Sequence, residues 1–149
     1  MQVVTPLLIF VGLLLAACLF AWWRGGGPER AVAALFLIAW LVSFLIHSPA
    51  SIHYHGVEVQ TMIVDTLLLI ALLAISRRAN RAWPVVATSF QALIVLAHLA
   101  RGINPFQFPY VYMVMVVSWP LIQLIVLTAG TAFHWRRTAI NGAEPSWTN

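Results

Sequence analysis

The sequence predicts an all-α integral membrane protein with five transmembrane helices. Three observations support this fold class: an apolar composition, five long apolar runs, and arginines concentrated in alternate loops. Hydrophobic residues make up 62% of the chain and charged residues 8%, against about 45–50% and about 25% in soluble domains. A soluble fold could not bury this much apolar surface, whereas a bilayer solvates it.

The apolar runs fix the predicted helices. The first run has the length of one hydrocarbon core, about 30 Å at the α-helical rise. Pro120 is expected to kink the fifth helix because its ring removes a backbone hydrogen bond. Residues 1–135 are predicted to form a single five-helix bundle, and residues 136–149 a short cytoplasmic tail. The predicted helices cover residues 4–23, 31–47, 57–75, 84–100 and 109–134.

The arginines predict the orientation. The net charge is +4, and all eight basic residues are arginine. With five spans, all of them except Arg101 fall on one side of the membrane: Arg24, Arg30, Arg77, Arg78, Arg81, Arg136 and Arg137. The positive-inside rule then places the N-terminus outside and the C-terminus in the cytoplasm. We therefore expect a multi-pass protein of the plasma (inner) membrane of a bacterium. Its expected partners are lipid and other membrane chains or itself, with no nucleic acid.

A polar cluster is predicted near the outer side. Asp65 lies about two turns inside the third apolar run, and an ionised carboxylate at such a depth normally faces the bundle interior and has a partner. His98 ends the fourth run at the same side. The full predicted cluster is Asp65, His98, His47, Glu58 and Arg101. Three roles stay open for it: helix packing through an internal pair, a path for protons or cations, and contact with a ligand.

The loop before the third helix suggests two cofactor alternatives. His53 and His55, with His47 and Glu58, are the residue types that bind zinc or copper, although exposed loop histidines also occur without metal. A haem b would need two histidines from neighbouring helices, and His47 and His98 match in depth. The sequence predicts no cofactor beyond these alternatives.

No catalytic motif is recognisable in the sequence. It lacks a phosphate-binding glycine loop, zinc-finger spacing and a nucleophile elbow, and its loops are short, so an enzyme is not the expected class. The first expectation is a non-catalytic structural or accessory subunit of a larger or oligomeric membrane assembly. The alternative is a small channel, transporter or membrane-lesion protein that uses Asp65, Glu58 and His98 as an outer-facing polar pathway. A haem- or metal-binding membrane protein is the second alternative.

Overall fold

The chain forms five α-helices. The computed structural model describes residues 4–46, 59–103, 109–142 and 145–147, with side chains throughout except at 4–6 and 109–117. Within these ranges the regular elements are all helices, and one isolated bridge joins Ala79 to Trp147. The helices are α1 (Val4–Arg24), α2 (Gly27–Ile46), α3 (Val59–Arg78), α4 (Trp83–Ile103) and α5 (Pro109–Asn141).

The helices form a closed ring. Each helix packs against the next one along the chain, α1 closes the ring against α5, and α2 also touches α5 across it. Successive helices run in opposite directions. One end of the ring, called the arginine-rich end below, therefore collects the ends of α1, α3 and α5 and the starts of α2 and α4. Arg101, near the end of α4, lies at the opposite end, called the Arg101 end.

Four of the helices are long and apolar enough to span a membrane. Their apolar stretches are Leu7–Arg24, Gly27–Ile46, Val59–Arg78 and Trp83–Ile103. Large apolar side chains such as Leu8, Leu19 and Leu45 point outward with more than 60% of their surface exposed. An outer surface of this kind suits lipid rather than water, so the helical bundle is compatible with a membrane protein. The fifth helix, α5, is 33 residues long and contains Pro120.

The interior is packed by apolar residues in the half of the ring nearer the arginine-rich end. Small residues on α1 and α2 let these two helices approach closely. The Cys18 thiol donates to the Ala33 carbonyl across this contact, with 3.5 Å between sulfur and oxygen. The buried cluster comprises Leu14, Ala17, Cys18, Ala21, Val32, Ala33, Phe36, Leu68, Leu72, Leu124 and Leu127.

Two helix boundaries differ from the sequence prediction by four residues or more. Helix α2 begins at Gly27 rather than at 31, because Pro28 suits the first turn of a helix and Glu29 caps it. Helix α5 continues to Asn141 rather than ending at 134, so the predicted end of this helix is wrong, and residues 136–141 of the predicted tail are helical. The end of an apolar run marks where hydrophobicity stops, not where hydrogen bonding stops. The helix ends where Gly142 adopts a φ of 81°, a conformation that favours glycine.

Candidate functional site

Both oxygens of the Asp65 carboxylate contact side chains inside the ring of helices. Asp65 lies six residues after Val59 at the start of α3, about 9 Å along the helix axis. Its Oδ2 lies 3.0 Å from His98 Nε2 on α4. Its Oδ1 accepts a hydrogen bond of 3.0 Å from Gln91 Nε2, which also donates at 3.1 Å to the Asp65 backbone carbonyl. Both carboxylate oxygens therefore have a partner on α4.

A chain of amide side chains continues from Asp65 to α5. Gln123 Nε2 donates to Gln91 Oε1 at 2.9 Å and to the Ala87 carbonyl at 3.1 Å. Gln91 and Gln123 are 1% and 3% exposed, so these hydrogen bonds form away from solvent. Each amide donates toward the carboxylate, and aligned hydrogen bonds of this kind polarise and strengthen one another in a low-dielectric interior. The chain connects α3, α4 and α5 and directs donors at Asp65.

Asp65 faces a cavity of about 180 Å³ to which every helix contributes. The Asp65 side chain keeps 18% of its surface exposed, whereas that of His98 keeps 1%. His98 is not among the residues that line the cavity, so it supports Asp65 from behind rather than forming part of the wall. The lining residues are Phe10, Leu14, Phe36, Ala39, Trp40, Ser43, Thr61, Asp65, Leu68, Gln91, Ile94, Pro120, Gln123 and Leu124.

A second buried polar cluster closes the arginine-rich end. Glu29 is completely buried, and its carboxylate accepts three hydrogen bonds. Arg81 Nη1 and Trp83 Nε1 donate to Oε1 at 2.7 and 3.0 Å, and the Gly26 amide donates to Oε2 at 3.0 Å. Such a charge is tolerated only when it is paired and hydrogen-bonded. The cluster ties the start of α2 to the start of α4.

The segment 145–147 packs over this second cluster. Ser146 Oγ lies 3.5 Å from Arg81 Nη2, and the Ser146 carbonyl accepts from the Asn80 amide at 3.3 Å. A side chain at Gly27 would collide with the Trp147 indole, because a Cβ there would lie 2.5 Å from its Nε1. The segment 145–147 is therefore held against the arginine-rich end.

The Arg24 guanidinium packs against two tryptophan rings at the arginine-rich end. The Arg24 guanidinium carbon lies 4.4 Å from the Trp23 ring centroid and 4.8 Å from that of Trp135. Both distances are within the range of cation–π attraction. Tryptophan and arginine are the side chains that anchor helices at a membrane–water interface.

The other predicted site residues divide into two groups. Arg101 is 4% exposed and lies three residues after His98 on α4. The remaining members, His47, His53, His55 and Glu58, lie outside the described residues. In the part of the chain that the structure describes, no group of three or more His, Cys, Asp or Glu side chains could hold a metal ion. His98 Nε2 is engaged by Asp65, and the other described histidine, His134, lies near the end of α5, at the arginine-rich end.

Sequence reasoning missed two parts of this arrangement. It did not predict the contact of Gln123 with Gln91, although both are glutamines within apolar runs of neighbouring helices. Glu29 was not predicted to lie in the interior. Its burial could have been suspected because Arg81 falls at the same end in the predicted topology.

Comparison of the chain with protein-family models, curated proteins and solved structures gives no match. Its class is therefore defined by its own fold and site. It is an all-helical bundle, with several helices apolar enough to span a membrane, built around an internal carboxylate.

Proposed function

We propose that the chain is a multi-pass protein of a bacterial inner membrane, with all five helices spanning and the arginine-rich end in the cytoplasm. The seven-to-one division of the arginines supports this orientation. The Trp–Arg–Trp contact at that end supports an interface at the same level. The N-terminus is then outside, and Asp65 lies in the outer half of the membrane.

The proposed orientation is tested with two cysteine variants of matched exposure. Ile103→Cys lies at the Arg101 end and Ile140→Cys near the arginine-rich end, and the two isoleucines are 86% and 79% exposed. A membrane-impermeant maleimide should label Ile103→Cys in intact cells and Ile140→Cys only after permeabilisation. The native Cys18 is buried at 3% exposure and serves as a silent background. The reverse labelling pattern would overturn the proposed orientation.

We further propose that the protein transports protons or small cations, with Asp65 as the intramembrane binding group. The observation that carries this proposal is the Asp65 carboxylate facing a cavity to which all five helices contribute. Ionisable residues at membrane depth are costly and mark ion or substrate pathways when they face a cavity. His98 and Gln91 stabilise the carboxylate with one donor each, which leaves further lone pairs for a cation.

The packing favours a transporter over an open channel. Between the cavity and the arginine-rich end, the interior is filled by apolar side chains such as Leu72 and Leu127, both completely buried. Beyond them lies the buried Glu29–Arg81 pair. A cation bound at Asp65 could therefore cross only if the helices moved. Pro120 lines the cavity and removes one backbone hydrogen bond from α5, which makes it a natural place for such bending.

The test measures ion movement in proteoliposomes. An imposed potassium diffusion potential drives proton entry, which an entrapped pH-sensitive dye reports, and the rate of potential collapse reports other cations. The wild-type protein should exceed empty liposomes, and Asp65→Asn should abolish the excess. Ser89→Ala is the matched control, because Ser89 is exposed on α4 and bonds only its own helix at the Val85 carbonyl. Equal rates for wild type and Asp65→Asn would refute the transport proposal.

The accessory-subunit role expected from the sequence is the competing proposal, and it requires neither the cavity nor the carboxylate that faces it. It predicts that the protein purifies from native membranes with other chains or as an oligomer. A monodisperse monomer that conducts cations would exclude it. A membrane-lesion protein would instead collapse the membrane potential on expression, and Asp65→Asn would then restore the potential.

A further inference from the structure

The cavity next to Asp65 has the chemistry of a binding site for an organic cation. Most of its wall is apolar, and three aromatic side chains contribute to it: Phe10, Phe36 and Trp40. Among the described residues of the wall, Asp65 is the only one with an ionisable side chain. We propose that this site binds a small ammonium compound with an aromatic or branched apolar body. The inference rests on the proposed transport function and names its substrate class.

Charge selects the ligand's head group. A carboxylate facing an apolar cavity is stabilised most by a cation that brings its own hydrogen-bond donors. An ammonium group has three donors, and two residues with hydroxyl groups, Ser43 and Thr61, also line the cavity. Among the described residues that line the cavity, the Asp65 carboxylate carries the only formal charge. An anionic ligand would meet this charge without compensation.

The wall selects the ligand's body. Aromatic rings attract cations and also pack against apolar groups. They therefore favour an ammonium compound with a hydrophobic body over a bare metal ion, which would require a cage of oxygen ligands.

Volume sets the ligand's size. An apolar cavity of about 150 Å³ holds one benzene molecule, and this cavity measures about 180 Å³. This cavity is larger than the benzene-binding cavity by roughly the volume of one water molecule, about 30 Å³. The additional space can hold a small substituent on a benzene ring. Benzylammonium, a benzene ring carrying one aminomethyl group, matches the volume, the apolar wall and the single carboxylate.

The test measures binding to purified protein in detergent by equilibrium dialysis, with three probes of nearly equal shape: benzylammonium, neutral benzyl alcohol and anionic benzoate. The wild-type protein should bind one benzylammonium, about tenfold or more tightly than benzyl alcohol, and benzoate most weakly. Asp65→Asn should weaken benzylammonium binding by about 10- to 100-fold, as expected for loss of a charge-assisted hydrogen bond. It should also make the amine and the alcohol bind equally.

A second variant covers the case in which Asp65→Asn fails to fold. Ala39→Leu keeps the carboxylate but fills part of the cavity, and it should weaken all three probes together. Ser89→Ala should bind as the wild type does. Equal wild-type affinities for the amine and the alcohol, or benzylammonium binding unaffected by both Asp65→Asn and Ala39→Leu, would overturn the inference.

The binding and flux results can be separated. Asp65-dependent proton flux without benzylammonium binding would overturn the substrate class and leave the transport proposal intact. Binding without any flux would support the site and overturn transport.

Discussion

The buried pair of Glu29 and Arg81 offers a quantitative test of the fold. Its side chains are 0% and 2% exposed, and 2.7 Å separates Oε1 from Nη1. Glu29→Gln removes the negative charge while keeping the shape and one carbonyl oxygen. The new amide NH2 group then faces the Gly26 amide, which donates at 3.0 Å in the native protein, so two donors oppose each other.

The expected cost follows from the burial of both charges. Removing one partner of a buried pair leaves an unpaired charge and costs about 3–5 kcal/mol. Arg81→Met should cost a similar amount because it leaves the Glu29 carboxylate without a cation. The double variant removes both charges, together with Arg81 Nε, which has no hydrogen-bond partner in the described structure. The decrease in the free energy of unfolding of the double variant should therefore be about 2–3 kcal/mol smaller than the sum of the decreases in the two single variants.

The single cysteine supplies the assay. Cys18 is buried in the contact between α1 and α2, so its reaction with a fluorogenic maleimide reports unfolding in a detergent–denaturant titration. Arg30→Met is the control, since Arg30 is exposed beside Glu29 on α2 and its replacement should change stability by no more than about 0.5 kcal/mol. Single variants that each cost under about 1 kcal/mol, or costs that simply add in the double variant, would refute the reasoning.

Three further predictions concern packing and hydrogen bonding. Gly130→Ala should destabilise by about 1–3 kcal/mol, because its Cβ would lie 2.6 Å from the Trp83 ring. Gly12→Ala, whose added Cβ would meet nothing within 4 Å, should stabilise by up to about 1 kcal/mol through helix propensity; equal effects of the two substitutions in a thermal unfolding assay would contradict the packing. Cys18 in native membranes should resist a maleimide that labels Ile103→Cys, and rapid labelling of Cys18 would contradict its burial. Gln91→Leu should cost about 2–3 kcal/mol, because it removes a buried partner of both Asp65 and Gln123; a neutral result in denaturant titration would show that the amide chain contributes no stability.

The number and order of the helices could be predicted because each depends on a local property. An apolar run of the right length predicts a helix that is long enough to span a membrane. The boundaries were harder where polar residues continue a helix, as at residues 136–141 of α5. There, the termination depends on Gly142 rather than on hydrophobicity. The start of α2 was placed four residues late because its first turn resembles a loop in composition.

The site could be predicted only in part, because sequence fixes depth along a helix more readily than rotation about its axis. Their positions along the predicted helices place Asp65 and His98 at the same depth in the membrane, and the two side chains lie 3.0 Å apart in the structure. Rotation and packing decide that Asp65 lines the cavity while His98 supports it from behind, and neither is visible in a single sequence. The contact between Glu29 and Arg81 joins residues 52 positions apart and depends on the closed ring.

We propose that the cavity presents the Asp65 carboxylate to a cationic solute, and a cysteine placed in the cavity wall tests this proposal most directly. Ser43 lines the cavity, so Ser43→Cys can react with small thiosulfonate reagents that differ in charge, while the buried Cys18 stays silent. Relative to their rates with a free thiol, the ethylammonium reagent should react about tenfold faster than the ethylsulfonate reagent, because the carboxylate raises the local concentration of cations. Adding Asp65→Asn should remove that preference. No reaction at Ser43→Cys, or a preference for the cation that persists with Asp65→Asn, would contradict the account.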